Sequence, residues 1–152
     1  MTRRCSISRT ASLAAPNTTD AANPQQDRGD AARKFAIEAA RLVAHSRCHN
    51  VALLDVTGIS PVTDYFILAT GTSARQMRSV CDELAEFGPT HNYSPLAQSG
   101  TEGESWMLID FVDIVVHVFN QESRQFYDLD GLWGDAKPVE WREETQAAAK
   151  TR

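Results

Sequence analysis

Apolar and polar positions change rhythm several times along this chain, and the densest pattern lies at 105–120, SWMLIDFVDIVVHVFN. Trp106, Leu108 and Asp110 alternate with Met107, Ile109 and Phe111, the period of two expected of a strand whose faces differ. Ile114, Val116 and Val118 alternate with Val115, His117 and Phe119, so the second arm is apolar on both sides. Such an arm belongs inside a sheet covered on both faces. A tight turn near 110–113 joins the two arms into a hairpin, the expected middle of one small domain.

Other rhythms frame it. Phe35, Ala39, Leu42 and Val43 follow the i, i+4, i+7, i+8 spacing of one helix face, predicting a helix from Ala31 capped by Asp30. It should end near 47–50, where His45, Arg47 and His49 suit the negative end of the helix dipole. VALLDVT at 51–57 predicts a buried strand in which Asp55 needs a partner or the strand's exit; Gly58, Ser60 and Pro61 then break it. DYFILAT at 64–70 predicts a second strand, ended by Gly71. A helix follows from Thr72 or Ser73 through Phe87, with Met77, Val80, Cys81 and Leu84 as its stripe and Gly88-Pro89 as its stop. Residues 90–103 read as a polar loop with a short extended piece at 96–98. After the hairpin, 121–125 reads as a turn, and FYDLDGLW at 126–133 as an aromatic segment folding back over the sheet.

Composition sets the frame. The 152 residues, 42% hydrophobic and 23% charged, suffice for one domain plus tails. The expected division is a disordered tail at 1–29, a domain at 30–136 and a polar tail at 137–152 that frays over TQAAAKTR. The first tail lacks large apolar side chains, and burial there does not offset the entropy of ordering. Its start is rich in Arg and Ser and free of acids until Asp20, as in an organelle transit peptide; the plainer reading is a bacterial extension. The localisation expected is therefore bacterial cytoplasm, with mitochondrion or plastid as the alternative. Cys5, Cys48 and Cys81 lie far apart, which suits free thiols in a reducing compartment. No apolar run approaches the roughly 20 residues of a spanning helix. Net charge is -5, and because residues 1–29 carry a net positive charge, the domain is more acidic than the whole. Such a domain is poorly suited to phosphate backbones and better suited to a basic protein.

Candidate chemistry is sparse. His45, Cys48 and His49 invite a zinc site, but the glutamate of an H-E-x-x-H motif is replaced by Ser46 and no carboxylate is placed as a base. The strand–Gly71–Thr72–Ser73–helix passage has the form of an anion site, the element with which nucleotidyltransferases hold a phosphate. Those enzymes also need close carboxylates for magnesium; here Asp82 and Glu83 are adjacent and diverge on a helix. A plain helix cap accounts for the passage better. No cofactor, metal or catalytic residue is expected, and the chain does not read as an enzyme.

VALLDV, TDYFILATGTSARQM, EGESWMLIDFVDIVVHVF and SRQFYDLDGLWGDA, in that order and spacing, closely resemble the ribosomal silencing factor family, also called the Iojap family. The resemblance covers about 31–136. It implies a compact α+β domain, a mixed β-sheet flanked by helices, with a topology related to nucleotidyltransferases but without their catalytic acids. It also implies binding to the large ribosomal subunit through its ribosomal protein number fourteen, which blocks joining of the small subunit and represses translation in starvation or stationary phase. Organelle relatives act in assembly of the large subunit, so ribosome biogenesis is the alternative role; a nucleotide-binding enzyme is a more distant one. Two departures stand out. Val112 occupies a turn position where the family often has glycine, so a longer or bulged turn is expected over a type I′ turn. Asp130-Gly131 replaces a pair that often carries a glutamate and a longer side chain.

A silencing factor needs a stable contact and no chemistry, and such contacts concentrate on a few aromatic and Arg anchors. Trp106 is the foremost candidate; it is either an anchor or a core residue under the first helix. Leu108 and Asp110 share its face, one apolar and one able to accept from a basic partner. Met107 and Phe111 rank second. Arg75, Gln76, Arg124, Tyr127 and Trp133 complete the set that matches the family, Tyr127 and Trp133 also being suited to packing on the sheet. His117 reads as a satisfied strand histidine. A homodimer through the exposed sheet face or the first helix is a further expectation for an acidic domain of this kind.

Overall fold

The computed structural model describes residues 24–100 and 105–142. The transit-like start and the frayed end fall at 1–23 and 143–152, outside the described residues. The chain comprises α1 (Pro24–His45), β1 (His49–Asp55), β2 (Tyr65–Thr70), α2 (Ala74–Thr90), β3 (Ala97–Ser99), β4 (Trp106–Asp110), β5 (Ile114–Phe119), α3 (Gln121–Tyr127), α4 (Leu129–Leu132) and β6 (Lys137–Pro138). The strands form one sheet in the order β3-β4-β5-β2-β1-β6. It is mixed: β2 and β5 run parallel, and the other pairs are antiparallel. This is the α+β arrangement with a helix-flanked mixed sheet that the family resemblance implies.

β5 and β2 lie centrally, and every residue of both is buried. Their near-continuous apolar content follows from that position, since both pleat faces are covered. One face, carrying Leu53, Ile67, Ile109, Val116 and Val118, packs under the helices. From α1 it receives Phe35, Ala36, Ala39, Ala40 and Val43, and from α2 Met77, Val80, Cys81 and Leu84. The alanine stripe lets α1 approach closely, while Phe35 closes the end of the layer by stacking on Tyr93 (centroids 4.4 Å apart) and meeting Phe111 edge-on at 5.3 Å.

Several boundaries depart from expectation: α1 ends at His45, short of 47–50, and α2 continues through Gly88-Pro89 to Thr90 instead of stopping there. α1 starts at Pro24, not at Ala31, so residues 24–29 are helical and Asp30 lies inside the helix. Proline fixes φ for a first helical turn, and Asp27 favours the positive end of the dipole. Residues 121–125 form not a turn but most of α3, whose cap is Asn120, accepting from the Ser123 N–H at 2.7 Å. A seven-residue helix is too short to show its period. Finally, residues 137–142 are not a polar tail. β6 pairs with β1, the Val139 N–H donates to the Leu53 carbonyl at 2.8 Å, and Val139 and Trp141 enter the helix-side core. Arg41 Nε donates to the Trp141 carbonyl at 2.7 Å. Val139 and Trp141 alternate with Glu140 and Arg142, a period of two too brief to register in a polar context.

Candidate functional site

The second face of the sheet is covered over only part of its area. Phe66, Leu68, Val115 and Phe119 pack beneath Leu129 and Trp133, with the Trp133 ring 5.0 Å from that of Phe66. Trp106 and Leu108 extend this cluster along β4 but remain half-buried. Strand alternation dictates the split: Met107 and Ile109 point toward α1 and α2, Trp106, Leu108 and Asp110 away from them. Trp106 is therefore not a core residue under the first helix.

The register places Trp106 opposite Phe119 and Leu108 opposite His117. From there the indole rests on the Phe119 ring at 5.0 Å, meets Tyr127 at 4.7 Å and reaches diagonally to His117. Its Nε1–H donates to His117 Nδ1 at 3.1 Å. An indole nitrogen can only donate, so Nδ1 is the acceptor and the imidazole proton sits on Nε2. Among the described residues that buried Nε2 has no hydrogen-bond partner. The satisfied histidine expected from the sequence is thus satisfied at one nitrogen only. Burial pushes the His117 pKa down to about 4, partly opposed by the Asp110 carboxylate.

Beside Trp106 lies a groove of about 420 Å³ lined by Ser99, Gly100, Ser105, Trp106, Leu108 and Tyr127. Tyr127 on α3 is 47% exposed at its edge. Phe126 on the same helix and Leu132 on α4, which sequence reasoning did not nominate, are 78% and 70% exposed. The only signal for them was an apolar residue on the solvent side of helices too short to show a stripe.

The remaining candidates divide. Met107 and Phe111 are 1% and 2% exposed in the core beneath the helices, which corrects their assignment to a partner surface. Asp110 stays half-buried on the open face, but its Oδ1 accepts from the Val112 N–H at 2.7 Å and so also shapes the turn. That turn is not of type I′, since of its two central residues only Val112 has a positive φ, but neither is it the longer turn expected: the Phe111 N–H donates to the Ile114 carbonyl at 2.8 Å across Val112 and Asp113. The Asp113 N–H donates to the Phe111 carbonyl at 3.0 Å, closing a γ-turn on Val112, whose φ is 77°. Arg124 is an internal tie: it pairs with both Asp130 oxygens (2.8 and 3.0 Å) and donates to Thr70 Oγ1 at 3.0 Å. The pairing holds the Asp130 carboxyl below its usual range. Trp133 is half-buried against Phe66. Arg75 is exposed in the first turn of α2, on the side where that helix begins.

Gln76 is engaged in structure. Its N–H donates to the cap Ser73 Oγ at 3.1 Å, its Oε1 accepts from the Thr72 N–H at 3.0 Å, and its Nε2 reaches the Ser46 carbonyl at 2.7 Å. Two of the turn donors a phosphate would need, the Thr72 and Gln76 N–H groups, are thereby engaged from within. Gly71 is required for packing, because a Cβ there would collide with Met77 and come within 2.7 Å of Gln76 Oε1. In the His45–His49 stretch, Cys48 is buried and its thiol is pushed up by that burial. Among the described residues no group of three or more His, Cys, Asp or Glu is arranged to hold a metal ion.

A family model described as "Ribosomal silencing factor during starvation" matches residues 29–152. The chain is 35% identical over 102 residues to a ribosomal silencing factor of Halalkalibacterium halodurans, covering 67% of this chain and 87% of that one. It is 36% identical over 90 residues to the ribosomal silencing factor of Bacillus subtilis, covering 59% and 76%. The chloroplastic Iojap protein of Zea mays is 31% identical over 112 residues, 74% of this chain and 49% of its own length. Among solved structures, a Bacillus halodurans protein superposes with a TM-score of 0.61 at 30% identity, covering 71% of this chain and 98% of that one. A Chromobacterium violaceum protein does so with a TM-score of 0.61 at 28% identity, covering 74% and 91%.

Proposed function

Because this chain belongs to the ribosomal silencing factor family, we propose that it represses translation by docking its half-covered sheet face on ribosomal protein number fourteen of the large subunit. Occupation of that site blocks the small subunit from joining. The observation that carries the reading is Trp106: a large, half-buried indole held against Phe119, Tyr127 and His117 beside an open groove. Leu108 adds apolar area, and Asp110, in an acidic domain, suits a basic partner surface. Tyr127, Phe126 and Leu132 extend the contact. No catalytic step is needed; the protein acts by steric exclusion, in bacterial cytoplasm.

Purified large subunits test this directly. Trp106→Ala combined with Asp110→Ala should keep its far-ultraviolet circular dichroism while co-sedimenting less with large subunits. Undiminished co-sedimentation removes this face from the interface. Heat on adding millimolar magnesium nucleotide in calorimetry would favour an enzyme instead. The chloroplastic Iojap relatives support a second reading, a role in large-subunit assembly in an organelle. Ribosomal particle profiles after depletion separate the two: immature large subunits favour assembly, and excess joined ribosomes in starvation favour silencing.

A further inference from the structure

The open sheet face holds a histidine whose polarity no folding argument requires. His117 sits in the central strand β5 among Ile, Val and Phe, is 6% exposed, and leaves its Nε2–H buried without an acceptor among the described residues. An orphaned buried donor is a cost that a leucine of similar size would avoid. What the imidazole supplies in return is a single directed acceptor, Nδ1, 3.1 Å from the Trp106 indole nitrogen. Trp106 is half-buried, so water could satisfy its N–H; the bond is dispensable for folding and selective for orientation.

We propose that His117 is a positioning residue for the partner-docking face: its Nδ1 holds the Trp106 indole in the orientation that meets the partner. The inference rests on the docking role given to Trp106 above. Three contacts on different residues, Phe119 beneath, Tyr127 beside and His117 at the nitrogen, fix the indole before any partner arrives. An anchor ordered in advance loses less freedom on binding, which is why preorganised aromatic side chains dominate contact energetics. His117 itself does not touch the partner, because its free nitrogen is buried. Its effect on binding passes wholly through Trp106.

The test uses the full chain with isotope-labelled tryptophan, reading the indole N–H resonance assigned by Trp106→Phe, together with affinity for purified large subunits. His117→Leu should shift that resonance and speed its solvent exchange, and weaken binding by about fivefold, the worth of one hydrogen bond. His117→Asn, whose Oδ1 takes the place of Nδ1, should restore both; it also serves if the leucine variant fails to fold. In a Trp106→Phe background, His117→Leu should cost nothing further. An unchanged indole resonance in His117→Leu overturns the inference, as does a shifted resonance with wild-type affinity or an equal loss when Trp106→Phe is already present. Absence of wild-type binding to large subunits instead overturns the docking role itself, and this inference with it.

Discussion

His117 should write a pH-dependent slope into the stability of this fold. In the unfolded chain its imidazole titrates near the ordinary value of 6.5, whereas in the folded chain burial holds it at about 4. Below 6.5 the unfolded state takes up a proton that the folded state refuses. Stability that is complete above that value therefore falls as the pH drops, and the loss levels off below the folded pKa. The full penalty corresponds to about 3 kcal/mol, and about 2 kcal/mol is already lost near pH 5. Against a total of roughly 5–15 kcal/mol for a domain, that is readily measured. Urea unfolding followed by circular dichroism between about pH 7 and pH 5 supplies the curves. His117→Leu removes the group, so the gap between variant and wild type should widen in the variant's favour as the pH falls. Other titrating groups, including the Arg124-paired Asp130, are common to both proteins and cancel. Parallel curves over that range would refute the reasoning, since they would mean that the imidazole accepts a proton as easily folded as unfolded.

Other parts of the fold give sharper yes-or-no outcomes. Arg124→Ala strands the buried Thr70 hydroxyl and frees the exposed Asp130 carboxylate to solvent, and should cost about 1 kcal/mol in urea unfolding; no loss would mean the tie is ornamental. Val112→Gly relieves a β-branched residue at φ 77° and should raise the thermal midpoint, worth about 1 kcal/mol; a lowered midpoint would refute the strain argument. Trp141→Ala removes a side chain 6% exposed in the core and should cost about 3–5 kcal/mol, whereas a true tail residue would cost nothing.

What the sequence made legible follows physical range. β5 and β2 announce themselves because a strand covered on both faces must be apolar at every position, and α2 because Met77, Val80, Cys81 and Leu84 repeat over several turns. The ends of the domain were illegible because their elements are short: α3 spans seven residues, and the Val139–Trp141 alternation offers only two inward positions. Arg124 matches the family set and reads, in sequence, as an anchor. Only three-dimensional proximity reveals Thr70, 54 residues away, and Asp130 as its partners. The Trp106–His117 bond was hidden for the same reason, since it depends on which residues the β4–β5 register sets diagonally.

The division along β4 lets one stretch serve both the stability of the fold and the recognition proposed for it. Met107 and Ile109 are sealed under the helices, so changes there act on folding; Trp106 and Leu108 stand on the opposite pleat, so changes there reach the solvent first. A strand buried on both faces, like β5, could not serve a partner without unfolding. A strand exposed on one face at the sheet's edge would by itself hold a large aromatic loosely. Placing Trp106 on β4, directly against fully buried β5, resolves the conflict: the neighbour supplies Phe119 as a floor and His117 as an acceptor, while the outer side stays open to the groove. The rigidity of the proposed contact surface is thus borrowed from one of the two strands of the sheet that are buried at every position.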